Sequence, residues 1–272
     1  MRRPVIALVL GLFAALPAGA EGTAGVEGPA APAAAERPAA PAPPAADPCD
    51  VPGYLLIGDA KLEEVAKAVK DRRELKILVM GTGSSALAGG GVKAYPTRLE
   101  EALKHRFSDV TVNVMTEAKA RLKAADMVGN LEKMLLDRKP DLVVWQTGTV
   151  DAMRGVDPDE FRNTLDEGID AIHEAGADAI LMNMQYSPRT ESMIQSGAYA
   201  DTMRVVARDR EIPLFDRLEI MRYWNDNGNF DLSAGTRDSA MAQKVHDCLG
   251  RALASLIIEA ADFDRPKTNP TQ

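Results

Sequence analysis

"LKILVMGTGSSALAGG", residues 75–90, joins an apolar run of strand length to a turn rich in glycine and serine. A run this short, closed by Gly81 and Gly83, reads as a buried strand that ends at a functional loop. The same signature recurs along the chain at "VTVNVM" (110–115), "DLVVWQ" (141–146), "DAILMNM" (178–184) and, more weakly, "IPLFD" (212–216). Between these runs lie segments of helical period: "YPTRLEEALKHRF" (95–107), "AADMVGNLEKMLLDRK" (124–139), "PDEFRNTLDEGIDAIHEAG" (158–176) and "AYADTMRVVARDRE" (198–211). Strands alternating with helices predict an α/β fold, a three-layer αβα sandwich around a central, mostly parallel five-stranded sheet of flavodoxin-like type. A last helix, about 240–260, carries Val245, Leu249, Ala252, Leu253 and Leu256 on the side that would pack on the sheet.

Outward from this core, the N-terminus "MRRPVIALVLGLFAALPAGA" has two arginines, an apolar run and a small-residue exit, the layout of a secretory signal peptide over residues 1–20. Residues 21–48, almost wholly Ala, Pro, Gly and Glu, lack the apolar bulk to offset ordering entropy and read as a disordered linker. One domain is expected over 49–263 and a frayed tail over 264–272. The expected address is periplasmic or secreted, with no stable membrane span after signal cleavage. The formal charge of −8 becomes −10 without Arg2 and Arg3, 30 basic against 40 acidic residues, which gives no electrostatic reason to bind nucleic acid. Cys49 and Cys248, an even pair in an oxidising compartment, predict a disulfide, worth about 4 to 5 kcal/mol in the chain-entropy model. His105, His173 and His246 are scattered, so no metal site is expected.

In open α/β sheets ligands bind beyond the carboxyl ends of the strands, which directs attention to "GTGSSALAGG", "TEAKAR", "TGTVDAM" and "QYSPRTESM". Gly81-Thr82-Gly83-Ser84-Ser85-Ala86 formally matches the G-x-G-x-x-A dinucleotide fingerprint. The helix that should follow is replaced by Leu87-Ala88-Gly89-Gly90-Gly91, and no acidic residue ends the second strand. No Gly-Lys-Ser/Thr is present either, so no cofactor is implied. Two readings stay open for the loop: a nucleophile turn using Ser84 or Ser85, or the remnant of one.

The order "ILVMGTGSS", "AYPTRLEEAL", "NVMTEAKA", "PDLVVWQTGTVDAM", "ILMNMQYSP" and "CLGRALASLI" resembles the SGNH (GDSL-like) hydrolases, in an exported bacterial branch. The resemblance covers about 49–260 and implies ester hydrolysis. A serine after the first strand attacks, backbone and asparagine donors hold the oxyanion, and an Asp-x-x-His pair before the last helix supplies the base. With Gly81 as the first-block glycine, the nucleophile position falls on Gly83, flanked by Thr82 and Ser84. The block-two glycine falls near Ala118 or Ala120. In block three Gly148 is kept, but Val150 stands where asparagine belongs, and Asp151 follows. Near Arg237 to Ala240 there is no Asp-x-x-His, and His246 lies a turn or more inside the last helix. Gln185, Tyr186 and Pro188 resemble a Gln-Tyr-x-Pro element lining the cleft.

Two functions follow. One is a catalytically degenerate exported protein that binds an envelope carbohydrate, an acyl ester or other acylated ligand, or a periplasmic protein. The other is a working serine ester hydrolase in which a two-residue slip hands the nucleophile's place to Ser85, or Ser84 acts, assisted by Asp151, Asp238 or His246.

Overall fold

A computed structural model describes residues 47–56, 60–86, 93–233 and 239–262. The expected signal stretch 1–20, the expected linker except Asp47 and Pro48, and the tail 264–272 lie outside the described residues, as do Arg237 and Asp238.

Chain order begins with α1 (Glu63–Lys67), which runs into a π turn at Ala68–Arg72 and then β1 (Glu74–Gly81). After α2 (Tyr95–Arg106) come β2 (Thr111–Ala118), α3 (Ala124–Val128), α4 (Leu131–Arg138), β3 (Leu142–Gln146), α5 (Thr149–Arg154) and α6 (Pro158–Glu174). The chain continues with β4 (Asp178–Met182), α7 (Pro188–Met193), α8 (Gly197–Asp209), β5 (Leu214–Phe215), α9 (Arg217–Asp226) and α10 (Ser239–Ala260). The strands pair in the order β2-β1-β3-β4-β5, every pairing parallel. The fold is the expected αβα sandwich, and the sheet is parallel throughout rather than mostly so.

Its sequence pattern follows from its position. All five residues of β3 are buried, as is β1 from Ile77 to Gly81, because helices cover both faces of the inner strands. Outer strand β2 alternates in exposure, and β5, the opposite edge, is two residues long, which limits edge-to-edge pairing. On one side α2 packs on α10 so closely that a Cβ at Gly250 would fall 2.4 Å from Arg98 Cβ. On the other, α3, α4 and α8 gather around α6. The segment expected as one helix over 124–139 is two, broken at Gly129-Asn130, where glycine lowers helix propensity.

The Cys49–Cys248 disulfide forms, with Cα atoms 4.9 Å apart across a sequence separation of 199, and ties the start of the domain to α10. At the amino end of the sheet two aspartates stitch the turns. Asp141 accepts the Lys76 N–H at 2.8 Å and pairs with Arg72 at 2.5 Å. Asp178 accepts the Val65 N–H at 2.9 Å.

Candidate active site

Strand β1 stops at Gly81, Thr82 is extended, and Gly83–Ser85 form a 3₁₀ turn closed by the Ser85 N–H on the Thr82 carbonyl at 2.9 Å. The turn is organised by the last residue of β3. Gln146 Oε1 accepts from the Thr82 N–H at 3.0 Å and the Thr82 hydroxyl at 2.9 Å, and from the Ser85 and Ser84 hydroxyls at 3.2 and 3.4 Å. A backbone N–H can only donate, so this contact fixes which end of the amide faces the turn. Gln146 Nε2, on the other end, is buried without a partner. Gly81 is required by space, since a Cβ there would fall 2.3 Å from Ser85 Oγ. Gly83 is exposed, and a Cβ on it would meet Ala120 Cβ at 3.6 Å, an ordinary contact. The residues matching blocks one and two therefore do come together, with Gly83 against Ala120 at the rim.

Behind the rim, the serine hydroxyls find their partners in Gln146, Tyr95 and Arg217. Ser85 Oγ lies 2.9 Å from the hydroxyl of Tyr95, the first residue of α2. Since Ser85 donates to Gln146, the tyrosine donates to Ser85. The Tyr95 backbone N–H in turn donates to His246 Nδ1 at 3.0 Å, and the two rings stack 6.2 Å apart at 12°. This bond requires an unprotonated Nδ1. Burial, with a further push from Arg217, holds the His246 imidazole down at about 3, so the ring is neutral at physiological pH. Among the described residues, no hydrogen bond links His246 to Ser84 or Ser85. His105 and His173 are exposed on α2 and α6.

Arg217, which the sequence reading passes over, is 1% exposed. It opens α9 directly after the Asp216 cap, and its side of the helix also bears Ile220, Met221 and Trp224, all buried. Nη1 donates to Ser84 Oγ at 3.2 Å and Nη2 to Gln185 Oε1 at 3.3 Å, while the guanidinium carbon stands 5.8 Å from the Tyr95 ring centre. Burial lowers its pKa to about 10, which still leaves it cationic at neutral pH. Spacing of 217, 220, 221 and 224 is the signal that could have placed it on the buried face. Tyr95 and Gln146 are likewise unforeseen.

In the third block Gly148 takes φ +95°, and a Cβ on it would fall 2.8 Å from Met184 Sδ. Val150 is buried and offers no side-chain donor. Asp151, 2% exposed, accepts the Ala124 N–H at 3.0 Å and the Thr147 hydroxyl at 3.4 Å, so it joins the start of α3 to the turn after β3. Burial raises its pKa, and these bonds partly oppose the shift. Tyr186 is buried beneath Arg222, whose guanidinium carbon lies 5.3 Å from the ring centre. Gln185 is half-buried and borders a groove of about 790 Å³ whose walls include Thr149, Met153, Met193, Ile194 and Tyr199.

The cleft thus brings together hydroxyls, two amides, a neutral imidazole and one buried cation. Among the described residues no group of three His, Cys, Asp or Glu side chains is placed to hold a metal ion, and no helix is long and apolar enough to cross a membrane.

A profile of the non-GDSL lipase-like family matches residues 48–263. An arylesterase of Vibrio mimicus is 29% identical over 114 residues, 42% of this chain, so the chain spans only about half, 56%, of that relative's length. Among solved structures, a catalytic mutant of the acetylxylan esterase Axe2 from Geobacillus stearothermophilus superposes with a TM-score of 0.57 at 16% identity, covering 67% of this chain and 94% of that one. TesA superposes at 0.53 and 19%, covering 66% and 99%. At these identities the likeness is one of fold.

Proposed function

The chain belongs to the non-GDSL lipase-like family, within the SGNH-like hydrolases, and on that premise we propose that it keeps the esterase scaffold as an exported, non-hydrolytic binding protein for an acylated ligand. The observation that carries this reading is the state of His246. Its one lone pair, on Nδ1, is taken by the Tyr95 N–H, which leaves the ring proton on Nε2, and no hydrogen bond joins it to Ser84 or Ser85. A serine hydroxyl without a base in reach is a poor nucleophile.

Other features lend support. Strand β1 ends at Gly81, which supports the register with Gly83, rather than Ser85, at the nucleophile's position. Ser85 is buried between Gln146 and Tyr95, Val150 supplies no oxyanion donor, and Asp151 is spent on the Ala124 N–H. Met153, Met193 and Ile194 in the groove beside Gln185 support an acyl chain over a bare glycan.

The test is hydrolysis of short nitrophenyl esters by the purified protein, with N-terminal sequencing of the exported chain, expected to start after Ala20. The expected rate is the same for the parent, Ser84→Ala and Ser85→Ala. Turnover lost in either variant would overturn the reading in favour of a serine esterase.

A further inference from the structure

The cleft holds a charge that no described residue answers. Among the described residues Arg217 meets only neutral acceptors, Ser84 and Gln185, through bonds of 3.2 and 3.3 Å, and its Nε has no partner at all. Gln146 Nε2 is a second orphaned donor, and Gln146 is 0% exposed. The two side chains converge on Ser84, Gln146 through Oε1 at 3.4 Å and Arg217 through Nη1. A buried cation with no countercharge is strongly unfavourable, and chains avoid it unless an anion shares the site. Two other arginines that serve the sheet have acidic partners, Arg72 in Asp141 and Arg204 in Asp216.

We propose that Arg217 is the receptor for the carboxylate of an aliphatic acid whose chain lies in the adjoining groove. A guanidinium presents a planar fork that two carboxylate oxygens match, and one cation balances one negative charge, which suits a carboxylate better than a doubly charged phosphate. Ser84 and Gln185 are half-buried while Arg217 behind them is not exposed, so an acid entering from the rim meets them first and can replace their long bonds to the guanidinium. Gln185 connects head site and tail site, because its Oε1 accepts from Arg217 and its side chain borders the groove. Met153 and Met193 on that groove are 64% and 71% exposed, large apolar side chains left open to water. Flexible thioethers adapt to an alkyl chain. The inference rests on the non-hydrolytic reading of the same cleft, since it supplies the ligand that reading leaves at the level of a class.

Titration calorimetry on the exported chain tests it, with decanoate, methyl decanoate, acetate and inorganic phosphate as probes. Decanoate is expected to bind about tenfold or more tighter than its methyl ester, the size of one charge-assisted hydrogen bond. Arg217→Met is expected to abolish that preference without lowering the thermal midpoint, and Met193→Asp to weaken decanoate in the parent background. Equal binding of acid and ester, or no binding of decanoate, overturns the proposal, and because this comparison uses the parent protein it holds even if Arg217→Met fails to fold. Phosphate or acetate binding as tightly as decanoate overturns the placement of the chain in the groove. Running nitrophenyl ester hydrolysis on the same preparation separates the two readings. Turnover with selective decanoate binding removes the non-hydrolytic reading and leaves the receptor, whereas neither turnover nor binding removes the receptor alone.

Discussion

Asp178, half-buried at the start of β4, and Arg217, buried beyond the end of β5, are two charges at opposite ends of one sheet, and among the described residues neither has an ion-pair partner. Burial, with Glu64 and Glu63 adding repulsion, pushes the Asp178 carboxyl up to about 6. It can therefore shed its charge by taking a proton, and its bond to the Val65 N–H persists either way. Burial pulls Arg217 down to about 10, which leaves the proton in place at any physiological pH. A carboxyl relieves its own burial from solvent, whereas a guanidinium needs an anion brought to it. The same physical problem thus leaves a stitch at the amino end of the sheet and, on our reading, a receptor at the carboxyl end.

The contrast is sharpest against a paired arginine next door. Arg204 of α8 donates to Asp216 at 2.8 Å, to Asp201 at 2.7 Å and to Glu219 at 3.2 Å. Asp216 also accepts from Asn183 at 2.6 Å and caps α9 through the Glu219 N–H at 3.2 Å. Asp216→Ala removes the Arg204 and Asn183 bonds to this carboxylate together with the α9 cap, and should lower stability by about 3 kcal/mol, read from the urea midpoint at unchanged slope. A loss below about 1 kcal/mol would mean that pairing matters little here, and the contrast with Arg217 would lose its standard. Arg217→Met, one residue along, should do the opposite and raise stability by about 1–2 kcal/mol, because it removes an unanswered buried charge. A loss of similar size would make Arg217 a structural strut rather than a residue held for a ligand.

Much of the fold is legible in the sequence for a physical reason. Inner strands covered on both faces are apolar throughout, so "LKILVM", "DLVVWQ" and "DAILMNM" stand out, and an even cysteine pair in an export context points to one disulfide. The meeting of Gly83 and Ala120 is legible from motif order, since each follows a strand in the same sheet. What is not legible is the polar interior of the cleft. Arg217 and Gln146 are of residue types usually exposed, and only tertiary packing buries them. Tyr95 and His246 are 151 residues apart, and nothing local announces their bond. Helix α9 itself escapes notice because it is short and its buried face opens on a charged residue, Arg217.

Asp178 offers a smaller effect with a defined pH window. Its folded-state value, about 6, lies above the unfolded 3.8, so the native state holds the proton more tightly. The associated stability is complete below the unfolded value and is lost as pH rises through about 6. Asp178→Asn keeps an acceptor for the Val65 N–H and removes the charge. With the shift discounted for partial exposure, it should be about 1–2 kcal/mol more stable than the parent at pH 7.5. At pH 4 the two should unfold alike. An advantage that does not change with pH would assign the gain to packing and remove the amino-end half of the contrast.

Gly83→Ser carries the smallest expected effect on stability and bears directly on what the carboxyl end is for. The residue is exposed, and a Cβ there sits at 3.6 Å from Ala120 in ordinary contact, so stability should stay within about 0.5 kcal/mol of the parent. The substitution puts a hydroxyl at the position that, on our reading of the register, corresponds to the family's nucleophile. It does not supply a base, because the acceptor nitrogen of His246 is occupied by the Tyr95 N–H, and it does not supply the oxyanion donor absent at Val150. Nitrophenyl ester turnover should therefore remain at the parent's level. Turnover gained in Gly83→Ser and lost again when His246→Gln is added would mean that a working base survives in the cleft. Arg217 would then be one element of a hydrolytic site, and its lack of a countercharge would reflect a transition state rather than a bound acid.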